Sequence, residues 1–170
     1  GTMATAAACL TPVTGLASIA APWHFAGYGE ALESMSALWE QAHPICERLG
    51  LVPMEVLQTG FWRLDPERTL AKYARFADLD PDSEAAAAFV AVEDWSNQGA
   101  PLTYAAGREL FDDFYDADLP GTCRWRVGGR TIDPGALDCP ATEFVSANDR
   151  IVPAATSALL PDRRVLDAGH

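Results

Sequence analysis

Lysine is nearly missing from this chain. All but one of its 12 basic residues are arginine, Lys72 being the exception, and that skew reads as the base composition of a genome rather than as a function. Positive charge is scarce altogether, because 24 acidic residues leave a net charge of −12 at pH 7. A phosphate backbone needs clustered Lys and Arg, so nucleic acid is excluded as a partner. An anionic membrane surface is offered no basic patch. Close cysteine pairs are missing too. Cys9, Cys46, Cys123 and Cys139 include no CxxC and no Cys/His cluster at zinc-ligand spacing, so no metal and no cofactor are expected. Isolated cysteines in apolar surroundings read as buried thiols in a reducing cytoplasm. The opening "GTMATAAACLTPVTGLASIAAP" lacks the basic start of a signal peptide, since Arg48 is the first basic residue, and Pro12 and Gly15 interrupt it. No apolar run reaches the length of a transmembrane segment. The expectation is a cytoplasmic protein.

What is present suits one sizeable globular domain. The chain has 170 residues, 49% of them hydrophobic, with five tryptophans, enough to build its own core. Residues 1–27 hold a helix of small residues, "GTMATAAACL", and then "GLASIAAPW", an apolar run that reads as a strand buried on both faces. Residues 28–120 read as a helical insertion without strands. Leu32, Met35, Leu38 and Trp39 repeat at a helical period, and "DPERTLAKYARFADL" and "DPDSEAAAAFVAVEDWSNQG" each open on Asp-Pro, an N-cap with proline at the first helical position. A further helix, "TYAAGRELFDDFYDADLP", stops at Pro120. Residues 121–170 return to strands. "CRWRVGGRTID" alternates around Gly128-Gly129 and predicts a tight hairpin. "ATEFVSA" and "RRVLDA" predict two more strands, with a short helical piece around 153–160 between them and room for a crossover that makes the pair parallel.

Parallel sheets expose their working residues at the carboxyl ends of their strands. Asp149 follows the first of these strands and His170 the second. A carboxylate beside an imidazole fixes its tautomer and stabilises the imidazolium while the other ring nitrogen takes a proton from a nucleophile. Asp149 and His170 are therefore the candidate catalytic pair. Alone, Asp149 also fits an ordinary loop-capping aspartate and His170 a solvated terminal histidine. His24, after "AAPW" at a strand end, and Trp95 are candidates for contacting substrate, against the plainer alternatives of a polar strand-end residue and an insertion-core tryptophan. The acids Glu109, Asp112, Asp113, Asp116 and Asp118 lack the alternation and central glycine of a calcium loop and read as a solvated helix face. Cys9 reads as a buried structural thiol, and His43, ahead of Pro44, as a loop residue.

These residues carry a resemblance. "LDCPATEFVSANDRIVP" resembles the strand and acid loop of α/β-hydrolases, with proline before the strand and Asp-x-Ile-Val-Pro after it, and "LDAGH" resembles the strand that delivers their histidine. "WRVGGRTIDPGALDCP" and "AVEDWSNQGAPLTYAAGRELFDDFY" are similar to stretches of the polyhydroxyalkanoate synthases. "GTMATAAA" resembles the helix that follows their nucleophile turn, Gly-x-Cys-x-Gly-Gly-Thr.

The resemblance implies an α/β fold: the C-terminal part of an α/β-hydrolase parallel sheet, 1–27 and 121–170, with 28–120 as a helical lid. It implies an acyl-transfer enzyme that takes a hydroxyacyl group from a coenzyme A thioester onto a nucleophile activated by His170, with Asp149 as the acid. An esterase or thioesterase, using water in place of the acceptor hydroxyl, is the alternative. A non-catalytic helical interaction module is a second. The register puts the nucleophile ahead of Gly1, so this stretch by itself is expected to be inactive. The 21 residues from Asp149 to His170 look short for the family. The edge of "GLASIAAP" is expected to lack a partner strand within these residues, which favours association into a homo-oligomer.

Overall fold

A computed structural model describes residues 1–169; His170 lies outside the described residues. In chain order the elements are α1 (Thr2–Leu10), β1 (Leu16–Ile19), α2 (Ala31–Leu49), β2 (Leu51–Val52), α3 (Met54–Leu64), α4 (Pro66–Ala77), α5 (Glu84–Asn97), β3 (Leu102–Thr103), α6 (Tyr104–Arg108), β4 (Arg126–Val127), β5 (Arg130–Thr131), β6 (Ala141–Ser146) and β7 (Asp162–Leu166). Short 3-10 turns cover Phe25–Tyr28, Pro134–Ala136 and Ala154–Thr156, and a π-helical segment covers Glu109–Asp116. The chain mixes helix and strand and divides into two compact units. One is Gly1–Ser36 with the chain from Glu109 onward, and the other is Ala37–Arg108.

The first unit is built on a parallel sheet of order β1-β6-β7. Leu16 pairs with Ala141 and Thr142 with Asp162, so all three strands run the same way. α1 packs on β1, and the small side chains of its Thr5 and Ala6 are buried. β1 is an edge strand here, and Ile19 is 69% exposed while Ser18 is buried. The expectation of burial on both faces fails for that reason: an apolar run is buried twice only where elements cover both its faces. The hairpin β4-β5 forms as expected, with Gly128 and Gly129 at φ 56° and 80°, angles that only glycine adopts readily.

The core of this unit is aromatic. Phe25 lies 5.2 Å from Phe114 and 5.2 Å from Tyr115, centroid to centroid, and Trp125 lies 4.8 Å from Phe114. The π-helical segment supplies Phe111, Phe114 and Tyr115, and its wider turn is a device found inside helices at functional sites. Asp118 ties this segment's end to the Phe25 turn by accepting from Phe25 N at 2.8 Å and Gly121 N at 3.1 Å. Glu109 accepts from Trp125 Nε1 at 2.7 Å. Two of the five acids read as a solvated face are thus structural acceptors.

The second unit is mainly helical, but β2 and β3 pair antiparallel within it, a strand pair the sequence reading lacked. Two residues per strand leave no periodicity to detect. Leu38, Trp39 and Cys46 of α2 are buried, as is Val52. Gly107 allows α6 to meet β2, since a Cβ there would lie 2.2 Å from Val52 Cγ2. α4 starts as its Asp-Pro signal says, Asp65 accepting from Arg68 N. α5 does not. Asp80 closes a turn, accepting from Asp82 N, and Ser83 caps the helix by accepting from Ala86 N. His43 is no loop residue: α2 runs through it and Pro44, and its Nε2 lies 2.6 Å from the Tyr104 hydroxyl.

Candidate functional site

The sheet's carboxyl end collects the chemistry-bearing residues of the first unit. β6 ends at Ser146, and the chain turns at Asp149, which is buried. Its Oδ1 accepts from Ile151 N at 2.8 Å and Val152 N at 2.9 Å. The side chain thereby closes its own loop, as a capping aspartate does. That role leaves the carboxyl group in the loop that follows the carboxyl end of β6.

The end of β7 is fastened to this loop. Ala147 N donates to Leu166 O at 2.9 Å and Asn148 N to Ala168 O at 3.0 Å. The Ser146 hydroxyl lies 2.6 Å from Ala168 O and 2.9 Å from Gly169 O, bridging two successive carbonyls. Asn148 Nδ2 donates to Asp167 Oδ1 at 2.6 Å. The described chain therefore reaches Gly169 at the same sheet end as Asp149, as parallel pairing requires. His170, the candidate base, lies outside the described residues.

The loop's return is anchored to the segment after β1. Trp23 N and His24 N both donate to Thr156 O, at 2.6 and 3.0 Å. Gly27 lets the two 3-10 turns meet backbone to backbone, since a Cβ on it would lie 2.6 Å from Ala155 C. His24, the half-buried N-cap of its turn, is thus brought to the 3-10 turn that follows the Asp149 loop. Trp95 belongs to the other unit, near the end of α5, and is 78% exposed, which does not fit the insertion-core alternative.

Three features of the site were missed by sequence reasoning. Glu143, on β6, is 1% exposed and accepts from Ala158 N at 2.6 Å and Leu160 N at 3.3 Å. It holds the link between β6 and β7 from beneath, where only a 3-10 turn stands in place of a crossover helix. An acid inside an apolar strand was the available signal. Ala20, directly after β1, adopts φ 43°, a strained angle for alanine. Tyr28, which is buried, and Tyr115, which is half-buried, pair with ring centroids 5.3 Å apart. Burial first, then the neighbouring Tyr115 and the hydrogen bond donated to it, and finally the charge of Asp149, push the Tyr28 hydroxyl well above its ordinary range. Burial also raises Tyr115, against the bond it receives.

Among the described residues no group of three or more His, Cys, Asp or Glu could hold a metal, and no helix is long and apolar enough to cross a membrane. The expectation of four buried thiols fails for three: Cys46 is buried, Cys9 and Cys139 are half-buried, and Cys123 is exposed. Cys9 donates to Asp133 O at 3.5 Å, and burial pushes its thiol up, the opposite of an activated thiolate.

No family model matches the chain. It is 26% identical over 161 residues to the poly(3-hydroxyalkanoate) polymerase subunit PhaC of Haloferax mediterranei, covering 92% of this chain and 33% of that protein. The subunit of the same name from Thiocystis violacea is 28% identical over 117 residues, 68% of this chain and 33% of its own length. This chain is related to the polyhydroxyalkanoate synthases. That of Haloarcula marismortui matches at 26% over 114 residues, 66% of this chain and 24% of its own. The chain spans between a quarter and a third of the length of these synthase subunits.

Proposed function

We propose that this chain carries the acid and the base of an α/β-hydrolase-type acyl-transfer site that moves hydroxyacyl groups from coenzyme A thioesters, as the likeness to polymerase subunits suggests. The observation that carries the reading is the buried Asp149 at the carboxyl end of β6, with the end of β7 fastened beside it by Ser146 and Asn148. In this reading Asp149 accepts the Nδ1 proton of His170 and stabilises its imidazolium. His170 takes the proton of a nucleophile, and then that of the acceptor hydroxyl that attacks the acyl-enzyme. Burial raises the thiols of Cys9 and Cys46, against the role of that nucleophile, and the reading assigns this chain the acid and the base alone. The mainly helical unit, Ala37–Arg108, acts as a lid. Its exposed Phe61, Trp62, Leu70, Val92 and Trp95 support that role, because an acyl chain needs apolar cover from water.

The test is Asp149→Asn in the full-length protein. Asparagine keeps the Oδ1 acceptor for the loop but cannot hold an imidazolium. Acyl-CoA turnover is expected to fall on the order of 10⁴-fold. Undiminished turnover would remove Asp149 from the chemistry. Product analysis separates polymer from free hydroxy acid, and so a synthase from a thioesterase.

A further inference from the structure

Beneath the acid loop lies a small cavity at the carboxyl ends of β1 and β6. Ala20 and Phe144 form part of its wall, Val152 comes from the loop, and three hydroxyl-bearing residues, Ser146, Thr156 and Ser157, also line it. It leaves about 10 Å³ for the centre of a water-sized sphere, close to the roughly 10–15 Å³ that one water requires. The hydroxyls are not equivalent. Ser146 donates to the carbonyls of Ala168 and Gly169, and Thr156 donates to Pro153 O at 2.7 Å, so both retain only acceptor capacity. Ser157 is 5% exposed, and its buried hydroxyl has no hydrogen-bond partner among the described residues. A buried hydroxyl without a partner costs about 1–3 kcal/mol, and a native fold rarely leaves one so.

We propose that this cavity binds a single water, which accepts from the Ser157 hydroxyl and donates to the hydroxyl oxygens of Ser146 and Thr156. One donor and two acceptors complement one water molecule. The bound water joins the loop that follows Asp149 to the serine that grips the end of β7. It is therefore a pin between the two strand ends on which the candidate acid and base stand. The water's existence is independent of the acyl-transfer reading, whereas its effect on turnover rests on it.

The sign of one substitution decides the matter. If the water is bound, Ser157→Ala leaves it one partner short, and the unfolding midpoint falls by roughly 2–4 °C, the measure of one hydrogen bond. If the cavity is dry, the same change removes an unsatisfied hydroxyl and the midpoint rises. A rise or no change overturns the proposal. So does a high-resolution crystal structure without density for a water within hydrogen-bonding distance of Ser157 Oγ. In the full-length protein Ser157→Ala is expected to lower kcat several-fold with little change in KM, through misplacement of Asp149. Unchanged kcat beside a lowered midpoint removes the positioning role and keeps the water. Full activity in Asp149→Asn removes Asp149 from the chemistry and leaves the stability result standing.

Discussion

Replacing Glu143 by glutamine should loosen the acid loop without touching Asp149. Both Glu143 carboxyl oxygens are used, one by Ala158 N at 2.6 Å and the other by Leu160 N at 3.3 Å, and the side chain is 1% exposed. Glutamine has the same shape but a single acceptor oxygen, so its amide nitrogen must face one of the two donors. The better-formed bond, to Ala158, is expected to survive, and Leu160 N then loses its partner in a buried place. A backbone N–H stranded this way costs about 1–3 kcal/mol, and a hydrogen bond to a charged group is worth about 1.5–3 kcal/mol. Removing a buried carboxyl group recovers part of its desolvation cost, so the net loss is put near 2 kcal/mol. For a chain of this length that lowers the unfolding midpoint by roughly 4–8 °C. Alanine strands both donors and should cost more. Thermal unfolding gives the midpoint, and amide hydrogen exchange shows whether Leu160 loses protection more than Ala158. A glutamine variant with the parent midpoint and unaltered exchange at both amides would refute the account of Glu143 as the support of this link.

Gly27→Ala should destabilise the first unit by about 1–3 kcal/mol, because the new methyl meets the Ala155 carbonyl carbon and oxygen, backbone atoms that cannot swing aside; a denaturant midpoint equal to the parent's would contradict this. Asp149→Asn should leave stability within about 1 kcal/mol, since Oδ1 still receives Ile151 N and Val152 N, whereas Asp149→Ala should lose the loop closure as well as turnover. Equal melting of the two variants would show that the loop does not need its cap. In the second unit, burial pushes Glu93 up, but hydrogen bonds from Lys72 and Tyr73 and the charge of Lys72 outweigh it, leaving its pKa below the ordinary 4.5. A depressed folded pKa stabilises above the unfolded value and is lost as pH falls through the folded one. Acid should therefore weaken this unit below about pH 4.5, and Lys72→Met should flatten that dependence. A parent-like acid profile in Lys72→Met would count against the pair.

Local signals were legible because local chemistry decides them. The Gly128-Gly129 turn, the Asp65-Pro66 helix start, the apolar stripe of α2 and the strands around "TEFVS" and "RVL" each follow from residues within a few positions of one another. So did Asp149 at a strand end, and the residues that relate this chain to the polyhydroxyalkanoate synthases. Where two local signals compete, the outcome is less visible: Asp80-Pro81 and Ser83 both fit an N-cap, and Ser83 wins only because Asp80 is already committed to its own turn.

The rest depends on groups far apart in sequence. Nothing near Ser18 or Ile19 says whether a strand's second face is covered, because coverage comes from whichever element the fold lays against it. The use of Glu143 as an acceptor for Ala158 and Leu160, the need for glycine at position 27 against Ala155, and the meeting of His43 with Tyr104 are all products of long-range packing. Sequence determined which residues could end strands in acids, turn on glycines or cap helices. Tertiary structure alone decided which hydroxyls, amides and carboxyls would be removed from water together, since burial and partner supply exist only once distant segments share one core.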